Sequence, residues 1–130
     1  MERWLGKYSD VCYGLMRIVV GLLFACHGAQ KLFGLFGGIG APASPLIMTA
    51  GVIEFFGGAL IALGLWAGYA GFITSGEMAA AYFMMHAPKG FWPIINKGEL
   101  AVLYCFIFLY IASRGSGRLS IEGLLKKRRA

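Results

Sequence analysis

The chain has 130 residues, enough for one domain, with 58% hydrophobic and only 14% charged residues and a mean hydropathy of +0.70. A soluble domain carries about 25% charged residues, so this composition excludes an ordinary water-soluble fold and points to an integral membrane protein. The formal net charge of +6 is concentrated at the chain ends rather than on a folded basic face, which argues against nucleic acid as a partner and leaves the lipid bilayer as the expected one.

In chain order, Arg3 and Lys7 precede the first apolar run, and no small-residue cleavage site follows it, so the run is expected to be retained. The first helix is expected over 11–36. At about 100° per residue, Arg17, Gly21, Gly28 and Lys31 fall within about 40° of one another. Small residues let membrane helices approach closely, so this face is expected to turn into the bundle. His27 lies to one side of it. The stretch GLFGGIGAPASP then breaks the helix into a loop.

The second helix is expected over 46–67, with Ala50, Gly51, Glu54, Gly58 and Ile61 on one face. A very short connection makes it the antiparallel neighbour of a third helix over 68–87. That helix places Ile73, Glu77, Ala80, Ala81 and Met84 on one face. His86 falls opposite Glu77 unless Pro88 distorts the last turn. The loop PKGFWPIINKG carries Phe91 and Trp92, suited to an interfacial aromatic belt. A fourth helix is expected over 97–114, with Glu99, Leu103, Phe106 and Tyr110 sharing a face. A basic cytoplasmic tail over 115–130 follows, with room for a short interfacial helix.

Apolar runs of about 20 residues match the ~30 Å hydrocarbon core of a bilayer. Lys and Arg cluster at both ends, while the first loop has none and the loop between the third and fourth helices has only Lys89 and Lys97. The expected fold class is therefore all-α: a single-domain, multi-pass integral membrane four-helix bundle with both termini cytoplasmic.

Between Leu32 and Pro88 the only formal charges are Glu54 and Glu77. An ionisable group inside a membrane helix costs roughly 2.5–3.5 kcal/mol on insertion scales, so it marks a partner or a function. Counting depth at about 1.5 Å per residue pairs Arg17 with Glu77 and places Glu54 just above them. Two readings stay open. Arg17, Glu54 and Glu77 form a structural ion network that fixes helix register, or they line a cavity or a proton path. On the second reading Glu54 and Glu77 are the candidate proton-handling residues. Arg17, His27, Lys31, His86 and Glu99 are then the candidates for a quinone or solute pocket. Haem is not expected, because the wheel does not turn His27 and His86 into one pocket. Cys12, Cys26 and Cys105 show neither C-x-x-C nor metal-ligand spacing, so neither a metal site nor a thiol relay is expected.

The segments MRIVVGLLFACHGAQKLFG, GVIEFFGGALIALGL and NKGELAVLYCFIFLYIASRGSGRLSIE carry a resemblance along nearly the whole chain. Arg17, His27-Gly28 with Lys31, Glu54, Asn96-x-Gly98-Glu99, and the closing G-x-G-x-x-S of Gly115–Ser120 with Glu122 are its most specific parts. The chain is similar to the DoxX family of small four-helix bacterial membrane proteins. The resemblance implies a place in the bacterial inner membrane. It also implies a link to quinone-dependent and oxidative-stress redox complexes, in which partner proteins carry the thiol or sulfur chemistry. A quinone is then the candidate cofactor, and a homo-oligomer is a candidate assembly. The rival class is a small-molecule transporter or a lipid-interacting scaffold that uses the same buried charges.

Overall fold

Residues held in the left-handed backbone region set the ends of the helices in the computed structural model, which describes residues 1–40 and 42–130. Ala41, inside the expected Gly- and Pro-rich loop, lies outside the described residues. Helix α1 (Ser9–Phe33) stops at Gly34, at φ 64°, whose N–H caps the Gln30 carbonyl. Helix α2 (Pro45–Leu63) opens with the Ser44 hydroxyl accepting from the Ile47 N–H and with Pro45 in its first turn, and it stops at Gly64, at φ 70°. A glycine is the residue that takes up such a conformation without a Cβ clash. Both helices therefore end earlier than the expected 36 and 67.

Helix α3 spans Ala67–Ala81. The chain then widens into a π-helical turn over Tyr82–His86 and tightens into a 3-10 turn over Ala87–Lys89. This replaces the regular helix expected to residue 87. The change of winding lies directly before Pro88, which has no N–H with which to continue the ladder. After a short turn at Pro93–Asn96, Lys97 adopts φ 61°. Helix α4 accordingly begins at Glu99 rather than at 97, and it runs to Arg114. Helix α5 (Ile121–Arg129) is capped by Ser120, whose hydroxyl accepts from the Gly123 N–H. The described residues are thus all-α, without a strand.

Glycines bring α1 and α2 together. A Cβ on Gly21 would come within 2.5 Å of the Ala62 nitrogen, and one on Gly58 within 2.5 Å of the Ala25 nitrogen. Helix α3 packs on α4 and on α2. The gap between α1 and α4 is filled by aromatic rings instead. Phe24 stands 4.6 Å from Phe108 and 5.2 Å from Tyr104, and Tyr13 meets Tyr110 edge-on at 5.8 Å. The core is closed by Ile61, Phe108 and Ile111, all fully buried.

The outer surface is apolar, with Leu22, Leu23, Phe56, Phe72 and Phe106 all more than half exposed. Two helical stretches are long and apolar enough to cross a membrane: Glu2–Phe33, which is α1 with the two short turns Glu2–Leu5 and Gly6–Tyr8 that lead into it, and Pro45–Leu63, which is α2. Only 33% and 22% of their apolar stretches are buried inside the molecule. A core helix of a soluble protein would be mostly buried, so these faces are built for hydrocarbon rather than water.

Candidate functional site

Arg17, expected to pair with Glu77 and Glu54, does neither. Its guanidinium is fully buried and donates to the carbonyls of Ile61 and Ala62 in the last turn of α2 and to the carbonyl of Leu119. The last carbonyls of a helix lack intrahelical donors and carry its negative dipole end, so a cation is well placed there. The expected pairing fails on register. The glycine contacts set Gly21 against Ala62 and Gly28 against Phe55, so Arg17 reaches the end of α2 while Lys31 reaches its middle.

The segment after α4 is folded onto the same end of the helices. The Tyr13 hydroxyl donates to the Gly115 carbonyl at 2.6 Å. The Ala67 N–H donates to the Ser116 hydroxyl at 3.3 Å, and the Trp66 N–H donates to the Glu122 carboxylate at 2.6 Å. Ser116 and Glu122 thereby cap the start of α3, a helix without a side-chain cap of its own. The G-x-G-x-x-S-x-E pattern is a docked clasp rather than the start of a free tail.

At the other end, the helices and the π turn line an open-sided cavity of about 740 Å3. Phe24, Ile53, Ile73, Met78, Met84 and Leu100 give it apolar walls, while His27, Lys31, Glu54, Glu77, His86 and Tyr104 bring polar groups to it. Lys89 and Lys97, on the two turns flanking the Phe91–Trp92 loop, also line it. Such a volume with a few convergent polar groups is typical of a small-molecule site.

Lys31 forms an ion pair with Glu54, whose side chain is 2% exposed against 23% for Lys31. This leaves Glu54 Oε2 buried without a hydrogen-bond partner, and Glu77 Oε2 is in the same position. Glu77 enters from α3 and is partly buried, within electrostatic reach of Glu54 and Lys31.

His27 stands edge-on to Tyr104, with ring centres 6.1 Å apart. His86 lines the same cavity as His27, contrary to the helical-wheel expectation, because the π turn changes the angle per residue just before it. Its Nδ1 lies 3.1 Å from the Asn96 carbonyl. No cluster of three or more His, Cys, Asp or Glu side chains suited to a metal occurs among the described residues.

Of the expected pocket residues, His27, Lys31, Glu54, Glu77 and His86 are brought together, whereas Arg17 and Glu99 are not. Glu99 is exposed in the first turn of α4 and takes no part in the lining. Its place beside Gly98 belongs to a turn motif built on Asn96, which is 2% exposed. The Asn96 amide donates to the Tyr82 hydroxyl at 3.1 Å and to the Gly90 carbonyl at 2.9 Å, and it accepts from the Gly98 N–H at 2.9 Å. This knot ties the π turn to α4 and shapes the cavity wall. Tyr104, Lys89 and Lys97 were missed as lining residues. Lys89 and Lys97 were legible only as loop charge. Tyr104 follows Glu99 by five residues, off the face that Glu99 shares with Leu103 and Phe106.

A family model described as DoxX matches residues 14–87, which take in most of α1, all of α2 and α3, and the π turn. An uncharacterized protein of Haemophilus influenzae is 43% identical over 131 residues, covering 95% of this chain and 98% of that relative. A Bacillus subtilis protein named "Putative oxidoreductase CatD" is 26% identical over 129 residues, covering 95% of this chain and 93% of that relative. No solved structure matches the chain. The matched span contains the Lys31–Glu54 pair, Glu77 and both histidines, and with a relative alike along almost its entire length the chain belongs to the DoxX family.

Proposed function

We propose that this chain is the membrane subunit of a quinone-linked oxidoreductase in the bacterial inner membrane, and that the cavity between α1, α2, α3 and α4 receives the quinone ring. The observation that carries the reading is the cavity itself. It has about 740 Å3 of largely apolar space, with an ion pair and a second carboxyl group on its walls. The residues fit a quinone: Phe24, Ile73 and Met84 offer flat or pliable apolar contact, and His27 and Tyr104 stand beside the acids. The name of the Bacillus relative supports a redox role. A bound quinone supplies two-electron redox chemistry. The chain's own part is to hold the ring away from water and to place Glu54 and Glu77 where protons are taken up or given. Electrons then come from partner proteins, because the cysteines here are scattered as single residues.

In this reading four helical segments cross the bilayer and both termini are cytoplasmic. The winding from Ala67 through His86 and the apolar α4 supply the third and fourth crossings. The test is purification in mild detergent, followed by extraction of bound quinone and titration with a short-chain quinone. A bound quinone or saturable binding upholds the reading. Absence of both, together with substrate uptake by protein-loaded liposomes, replaces it with a transporter.

A further inference from the structure

We propose, resting on the quinone reading above, that the cavity is built for the reduced, hydroxyl-bearing form of the ring, and that it binds a hydroquinone in preference to the corresponding quinone. The argument starts from which polar atoms are already used. Lys31 is spent on Glu54 Oε1. The second oxygen of Glu54, a residue 2% exposed, is buried without a partner, and so is Glu77 Oε2. Both acids line the cavity, one from α2 and one from α3. The Glu54 carboxylate, held ionised by Lys31, only accepts hydrogen bonds, and Glu77 does the same when ionised; a buried acceptor left without a donor is a standing penalty that a suitable ligand removes. An occupant that satisfies these oxygens therefore has to donate.

Two kinds of donor are available to a ligand, a cation or a neutral hydroxyl. The other groups facing the cavity decide between them. Lys89 and Lys97 line it together with Lys31, and His27 and His86 add no negative charge. An ammonium ligand would share the cavity with three lysines, so like-charge repulsion disfavours it. A quinone offers carbonyl oxygens, which the lysines and Tyr104 can serve but which leave the two acid oxygens without a donor. A hydroquinone offers two neutral hydroxyl donors on a flat apolar ring, and the walls of Phe24, Ile73, Met78 and Met84 suit that ring.

The experiment compares three probes of similar size on the intact detergent-solubilised protein under anaerobic conditions: duroquinone, durohydroquinone and the dimethyl ether of durohydroquinone. Binding is read by calorimetry against empty micelles. The hydroquinone is expected to bind about tenfold more tightly than either of the others, the factor that one charge-assisted hydrogen bond is worth. By linkage, that ratio raises the midpoint potential of the bound couple by about 30 mV. Glu77→Gln, whose amide can donate, is expected to narrow the ratio, and so is Glu54→Gln where its thermal unfolding matches the native protein. Quinone binding as tight as hydroquinone binding overturns the inference and leaves the quinone pocket standing. Failure of all three probes to bind overturns both.

Discussion

Glu54 is tolerable in an apolar helix because Lys31 reaches it, and Lys31 lies one turn along α1 from His27. Removing one member of a buried pair leaves the other uncompensated, at a cost of about 3–5 kcal/mol, whereas replacing both by apolar residues is often neutral. Lys31→Ala is therefore expected to lower stability by about 3 kcal/mol, because Lys31 is itself part-exposed. Lys31→Met with Glu54→Leu should recover most of it, as read by thermal unfolding in detergent. A single mutant as stable as the native protein would show that water already serves Glu54. The sequence made the buried acids conspicuous, since they interrupt long apolar runs, but it did not name their partner. Depth counting assumes that all helices start from common planes. The real register is set by where two backbones can touch, and because of it Lys31 rather than Arg17 reaches Glu54.

At the scale of the helices, that register depends on atoms that are absent. Gly21 and Gly58 each face the backbone of the opposing helix, so a methyl group at either position has only main-chain atoms to displace. Gly21→Ala and Gly58→Ala are each expected to destabilise by about 1–3 kcal/mol through overpacking. Gly76→Ala on α3, where a Cβ would meet nothing within 4 Å, should stabilise by up to about 1 kcal/mol. Equal effects at the three sites would mean that α1 and α2 do not pack through glycine. This interface was legible beforehand, because small residues sharing a face with Arg17 or Glu54 stand out in a sequence rich in Leu, Ile and Phe. The π turn was not. Pro88 announced an irregularity, but its form depends on Asn96, which satisfies Tyr82, Gly90 and Gly98 from the far side of a loop. No local pattern reports a contact of that kind.

For the whole molecule, the two ends have different characters. One end is shut by Arg17 and the clasp from Gly115 to Glu122, and the other holds the cavity. The basic α5 lies at the shut end, with Lys126, Lys127, Arg128 and Arg129 in its last turn and Leu124 and Leu125 exposed. This arrangement suits an anionic leaflet surface, so the termini are expected on the cytoplasmic side. Reporter fusions after Ala130 and within 37–44 should then report opposite sides of the membrane. The same side for both would overturn the four-crossing topology and the orientation of the cavity with it. The two long apolar helices were readable from run length, while the clasp was not, because glycines and serines after a helix normally mark an unstructured tail.

The clasp also imposes an order on biosynthesis. Leu119 follows Arg17 by 102 residues, and Ile61 follows it by 44. At translation rates of roughly 5–20 residues per second, Arg17 waits about 2–9 s for its first carbonyl and about 5–20 s for its last. Until the end of α2 has been made, its guanidinium is expected to have only lipid headgroups, water or the insertion machinery to serve it. Chains that break off after α4 would have the helices but lack the Leu119 carbonyl, and would expose an incompletely solvated cation to membrane quality control.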